Sequence, residues 1–89
     1  MKHIMIRIMN EDYDAWLKVH YEFTETRKTY GMTDGPVYRD IDNPNAALFH
    51  IMVDDVPRAM EWFKSPLFKE ATARAKVTGR EFYFAERQP

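Results

Sequence analysis

Cysteine is missing altogether, and with it go disulfides, thiolate metal sites and cysteine nucleophiles. The three glycines among 89 residues make no glycine-rich loop, which argues against a phosphate cradle or a dinucleotide fold. No apolar run approaches the roughly 20 residues that a membrane span requires. The opening Met1-Lys2-His3-Ile4 runs straight into an alternation holding Arg7 and does not read as a signal peptide. An excess of one charge is lacking too: 13 basic residues face 14 acidic ones, for a net charge of −1, and no Lys/Arg block stands out. Nucleic acid and an anionic membrane are therefore not expected partners, and a cytoplasmic location is the expectation. His3, His20 and His50 fall on separate segments with no ligand-type spacing, so no metal site is expected.

Apolar and aromatic mass is what the chain has. Hydrophobic residues make up 45% and aromatics 15%, with six Met, six Phe, five Tyr and two Trp. A disordered chain would not carry this. The length suits one domain spanning residues 1–89. So short a chain buries only a little over about 60% of its unfolded surface, which makes oligomerisation a natural supplement.

Residues 3–9 (HIMIRIM) read as an Ile-rich strand closed by Asn10-Glu11-Asp12. From Asp12, a plausible N-cap, the period turns helical: Tyr13, Trp16, Leu17, His20 and Thr24 share one stripe. With Gly31 just past its end, the helix should run about 18 residues. Thr33-Asp34-Gly35-Pro36 reads as a turn, residues 37–42 as a strand, Asn43-Pro44-Asn45 as a second turn and residues 46–53 (AALFHIMV) as the strand completing a hairpin. Pro57 opens a further helix with Val56, Ala59, Met60 and Phe63 as its stripe. Ser65-Pro66 restarts it, burying Leu67, Phe68, Ala71 and Ala75, and Gly79 should end it before a last strand at 80–87. The order β-α-β-β-α-β with a split second helix predicts an α+β, ferredoxin-like fold with a four-stranded antiparallel sheet. RNA-recognition domains share this order, but their Gly- and aromatic-rich third strand is absent from AALFHIMV.

Helices can cover only one face of such a sheet, and the other face should be polar if it meets water. These strands are apolar on both. Ile4, Ile6 and Ile8 alternate with Met5 and Met9 around Arg7, Leu48 and Met52 with Phe49, Ile51 and Val53, and Phe82 and Phe84 with Tyr83 and Ala85. Leaving such side chains wet forgoes roughly 1.5–3 kcal/mol each. A second copy packed sheet to sheet about a two-fold axis is the simplest cover.

The stretch Trp62-Phe63-Lys64-Ser65-Pro66-Leu67-Phe68-Lys69, an aromatic, a Ser-Pro break and a following Phe at the joint of the split helix, resembles the dimeric α+β barrel superfamily. That superfamily includes the antibiotic-biosynthesis-monooxygenase-like proteins. The resemblance implies a homodimer joined through the sheet faces, with a small hydrophobic or aromatic ligand between helix and sheet and no cofactor. It spans several chemistries, among them cofactor-independent oxygenases, haem-degrading enzymes, isomerases and cyclases. The haem-degrading branch fits poorly: Trp62 matches, but its histidine ligand is Thr72 here. Its strand-one asparagine also has no counterpart within residues 3–9, where the nearest is Asn10.

The inward stripe of the first helix starts apolar and then turns polar at His20, Thr24 and Arg27. That suggests a cavity, unless His20 is a satisfied core-edge histidine and Arg27 snorkels to water. His50, set among apolar strand residues, is the second candidate base, facing either the cavity or the dimer side. Arg7 and Arg39 are expected to pair across strands with Asp40 and Asp42. Trp16, Tyr38, Trp62, Phe68 and Tyr83 are candidate aromatic contacts, with a core role as the plainer account of Trp62 and Phe68. The resemblance implies an oxygenase, cyclase or isomerase acting on an aromatic or polyketide-like substrate. In that scheme His20 or His50 would be the base, and His20, His50, Trp62, Tyr83 and Arg27 would surround one ligand. The competing expectation is a non-catalytic ligand-binding or assembly module with a small or closed cavity.

Overall fold

The computed structural model describes residues 2–89. β1 (Lys2–Asn10) leads into α1 (Tyr13–Glu22), whose first turn is capped by Asp12 accepting from the Ala15 N–H at 3.2 Å. The expected long helix is broken at Phe23, and a second piece, α2 (Thr24–Thr29), follows it. Phe23 leaves helical geometry (φ −103°, ψ 11°), and its ring packs 5.6 Å from that of Trp62. Gly31 ends the helical segment as expected, in the left-handed region at φ 75°.

β2 (Met32–Arg39) and β3 (Ala46–Val53) form the hairpin. The strand begins earlier than expected and takes in the supposed turn at residues 33–36. The reason is a bulge. The ladder shifts register between Asp34 and Val37, which leaves Gly35 and Pro36 unpaired where proline has no N–H to donate. The true turn holds Asp40 to Asn45, tied by Asp42 N–H to Asp40 Oδ1 at 2.8 Å and Asn45 N–H to Asn43 Oδ1 at 3.1 Å.

α3 (Val56–Phe63) and α4 (Pro66–Arg74) make the split second helix. Asp55 caps the first piece and Ser65 Oγ the second, accepting from Phe68 N–H at 3.1 Å, with proline in both first turns. Gly79 does not end α4. Ala75 is its C-cap, Lys76 makes the reversal at φ 56°, and β4 (Val77–Glu86) takes in Gly79. Leu67, expected inside, is 44% exposed on α4.

The sheet order is β2-β3-β1-β4, antiparallel throughout. Ile4, Ile6, Ile8, Phe49, Ile51 and Val53 form its buried face against Trp16, Val19, Ala59, Trp62, Ala71 and Ala75 from the helices. The other face is apolar as well and uncovered: Met5 is 44%, Tyr83 60% and Tyr38 62% exposed. No helix among the described residues is long and apolar enough to cross a membrane.

Candidate functional site

A cavity of about 70 Å³ lies between the helices and the buried face of the sheet. Its walls are aromatic and aliphatic: Trp16 and Val19 from α1, Phe49 and Ile51 from β3, Trp62 from α3 and Phe82 from β4. It is about half the roughly 150 Å³ of an engineered apolar cavity that takes up benzene. One small ring edge or a few waters fill it, and anything larger must extend through its mouth.

His20, Arg27 and Thr72 are the polar residues on this wall. His20 is 7% exposed, stacks on Trp16 (ring centres 4.9 Å apart, planes 19° apart) and meets Phe49 edge-on at 4.9 Å. Its Nε2 has no hydrogen-bond partner. The nearest carboxylate oxygen, Asp34 Oδ2, is 3.9 Å away, beyond hydrogen-bond reach. Burial lowers the His20 pKa from the ordinary 6.5 to about 4, the Arg27 charge pushes the same way, and Asp34 opposes both. His20 is therefore a neutral imidazole at neutral pH.

Arg27 neither snorkels nor stands free. It is 6% exposed and grips Asp34 with both arms of its fork, Nε to Oδ1 at 2.8 Å and Nη2 to Oδ2 at 2.7 Å. The same Nη2 donates to the His20 carbonyl at 2.6 Å, and Thr24 Oγ1 donates to Asp34 Oδ2 at 3.3 Å. This network ties α1 and α2 to β2 and uses the arginine's charge internally. Asp34 escaped the sequence reading because its Asp-Gly-Pro context looks like a turn. It is a strand residue whose side chain faces the helices, on the same side as Ile51, its ladder partner.

The expected single site is divided by the sheet. Trp16, His20, Arg27, Trp62 and Phe68 line the cavity; Thr24 does not, its hydroxyl being bonded to Asp34. His50, Tyr38 and Tyr83 do not: they lie on the uncovered face, in an open groove of about 360 Å³ with Met5, Arg7, Leu48 and Glu81. His50 alternates with buried Phe49 and Ile51, so the pleat turns it outward. Its ring packs against Gly35 and lies 5.5 Å from that of His3. Tyr83 donates to Glu81 Oε2 at 3.1 Å, and that bond holds its hydroxyl above the usual phenol range.

Arg7 pairs with Asp40 at 3.1 Å, as expected. The Asp42 backbone N–H, then Arg7, keep the Asp40 carboxyl below its ordinary range. Arg39 instead donates to the Pro44 carbonyl at 2.6 Å and lies over the Tyr13 ring. A further unsatisfied group, unforeseen from the sequence, is the Asn10 side chain: it is buried at the end of β1 with both amide atoms unpartnered.

Solved structures share this arrangement of helices on one sheet face. The fold is that of the antibiotic-biosynthesis-monooxygenase-like proteins. A candidate antibiotic biosynthesis monooxygenase from Bordetella bronchiseptica superposes with TM-score 0.76 at 12% identity, over 99% of this chain and 97% of its own. SnoaB, a cofactor-independent oxygenase from Streptomyces nogalater, gives 0.66 at 15% identity, over 99% and 93%. An uncharacterized NIPSNAP domain protein from Burkholderia xenovorans gives 0.70 at 15% identity, over 99% and 95%. No family model matches the sequence, and no curated protein matches it significantly. At these identities the monooxygenase-like fold is shared, while chemistry must be argued from the cavity.

Proposed function

We propose that the protein is a homodimeric, cofactor-independent oxygenase for a small electron-rich hydroxyaromatic compound, held in the helix–sheet cavity. The observation that carries this is His20: a buried, neutral imidazole whose Nε2 is unpartnered on a mainly apolar wall. A buried polar atom without a partner costs about 1–3 kcal/mol, and a ligand hydroxyl donating to Nε2 removes that cost while orienting the ring. A pKa near 4 makes His20 a weak base, so it serves first as a hydrogen-bond acceptor and takes the proton only as negative charge leaves the ring for O2.

In the proposed reaction His20 takes the hydroxyl proton as the electron-rich ring transfers electrons to O2 at a ring carbon. His20 then returns the proton to the peroxide oxygen. Loss of water leaves a second carbonyl on the ring, so that O–H and C–H become a quinone, one oxygen atom enters and the other departs as water. The fold shared with a cofactor-independent oxygenase supports this reading. The apolar outer sheet face supports the dimer, its exposed Met5, Leu48, Tyr38 and Tyr83 being covered by a second copy.

Both tryptophans line the cavity, so indole fluorescence reports its occupancy. Electron-rich naphthols should quench it and consume O2 with quinone formation, and His20→Phe should abolish turnover. Turnover at the wild-type rate in that variant would remove His20 from the chemistry. Leu48→Glu should convert a sedimenting dimer to monomer. Two observations favour the second reading, a non-catalytic dimeric module: the cavity is small, and Arg27 is fully engaged by Asp34. Binding without oxygen uptake across the whole panel would favour it.

A further inference from the structure

Apart from Phe23 at the α1–α2 break, the cavity-lining residues that keep contact with solvent are Phe63, Phe68, Thr72, Val77 and Phe82. All belong to α3, α4 or β4, so the cavity opens along the α4–β4 side. Arg80 stands at this opening. Its ladder partner is Ile8, which turns its side chain to the helix-facing side of the edge strand β4. Its guanidinium carbon lies 5.2 Å from the ring centre of Phe68 and 5.8 Å from that of Phe82. Arg80 forms no ion pair among the described residues; the arginines that do are Arg7, Arg27 and Arg74.

The surrounding segment carries a charge bias that the balanced total conceals. Residues 64–80, which build α4 and the start of β4, hold five basic residues against Glu70 alone, leaving eight basic against thirteen acidic elsewhere. Among the described residues only Arg74 of the five is neutralised, by Glu22 at 2.9 Å. A local positive field over an apolar opening draws in anions. A guanidinium resting on aromatic faces is partly desolvated yet keeps a planar fork of donors that matches a carboxylate.

Resting on the cavity reading above, we propose that the ligand is an aromatic carboxylate. Its ring enters between Phe68 and Phe82 toward His20, and its carboxylate is held at the mouth by Arg80. The ring faces select the aromatic body, and the unpaired fork selects the anion.

Two probes that share a hydroxyaryl end separate the contributions: neutral para-cresol and anionic para-hydroxyphenylacetate, each titrated by quenching of the two cavity tryptophans. In the wild type the acid should bind about fivefold more tightly than para-cresol at low salt, as one exposed ion pair allows. The margin should shrink as salt is added. Arg80→Gln should bring the ratio of the two affinities close to one, and Arg80→Lys should keep only part of it. Binding of para-cresol with no preference for the acid, or a preference that survives Arg80→Gln, overturns the anion assignment and leaves the cavity reading standing. Failure of both probes to bind overturns both readings. Unchanged circular dichroism of the variants keeps misfolding out of the comparison.

Discussion

Replacing His20 by phenylalanine tests the electrostatics of the site without using any substrate. Folding lowers the His20 pKa from 6.5 to about 4, so between those values the unfolded chain binds a proton that the folded chain refuses. The sign follows directly. The stability this histidine supplies is intact above about pH 6.5, falls as pH drops through that value, and stops falling near pH 4. Each unit of separation is worth about 1.4 kcal/mol, so going from about pH 7.5 to about pH 4.5 should cost the wild type about 2–3 kcal/mol through this one residue. Phenylalanine titrates nothing, keeps a ring against Trp16 and Phe49, and removes the unpartnered Nε2. At neutral pH the variant should be no less stable than the wild type, since an orphaned buried polar atom disappears. Urea unfolding at fixed protein concentration across this pH range gives both curves. The difference between them should shift by about 2–3 kcal/mol in favour of the variant on acidification. Curves that stay parallel, or a His20 ring proton that titrates by NMR near 6.5, would refute the buried neutral imidazole.

Two other substitutions test the frame around it. Asp34→Asn leaves the Arg27 guanidinium buried without its counter-ion, and breaking a buried pair from one side should destabilise by about 3–5 kcal/mol in urea melts. An unchanged midpoint would mean that water replaces the carboxylate. Gly35→Ala brings a Cβ to 2.7 Å from the His50 ring atoms and 2.9 Å from the His50 carbonyl oxygen, which should cost about 1–3 kcal/mol. His50→Ala in the same chain should recover only part of that, because the carbonyl remains. Full additivity of the two substitutions would show that ring and Cβ do not meet.

Much of the architecture could be read locally. The Ile alternation of β1, the helical stripe from Tyr13 to His20, the Asp12 cap and the Ser65-Pro66 restart each follow from one residue's preference or one short period, whereas the break at Phe23 carried no such signal. So did the two-sided greasiness of the sheet, and the polar turn at His20 and Arg27 that pointed to a cavity wall. The errors fell where local signals mimic each other. Gly35-Pro36 reads as a turn but is a bulge in a strand, and Gly79 reads as a helix stop but lies inside β4, where a Cβ would meet the Met9 side chain at 2.8 Å.

Which groups meet was decided by register and by packing between distant segments. His20 and His50 were equal candidates as residues. The pleat of β3 turns one of them away from the helices, since a single step along a strand exchanges faces. Asp34 became the counter-ion of Arg27 only because the bulge follows it and leaves its side chain on the helix side. Arg80 acquires its place over Phe68 and Phe82 because β4 hydrogen-bonds to β1 at the sheet edge, beside a helix that precedes it in the chain. Period and capping are properties of neighbouring residues, whereas a site is a property of side chains brought together by strand pairing across long loops. That pairing depends on the free energy of the whole core, which no short segment carries.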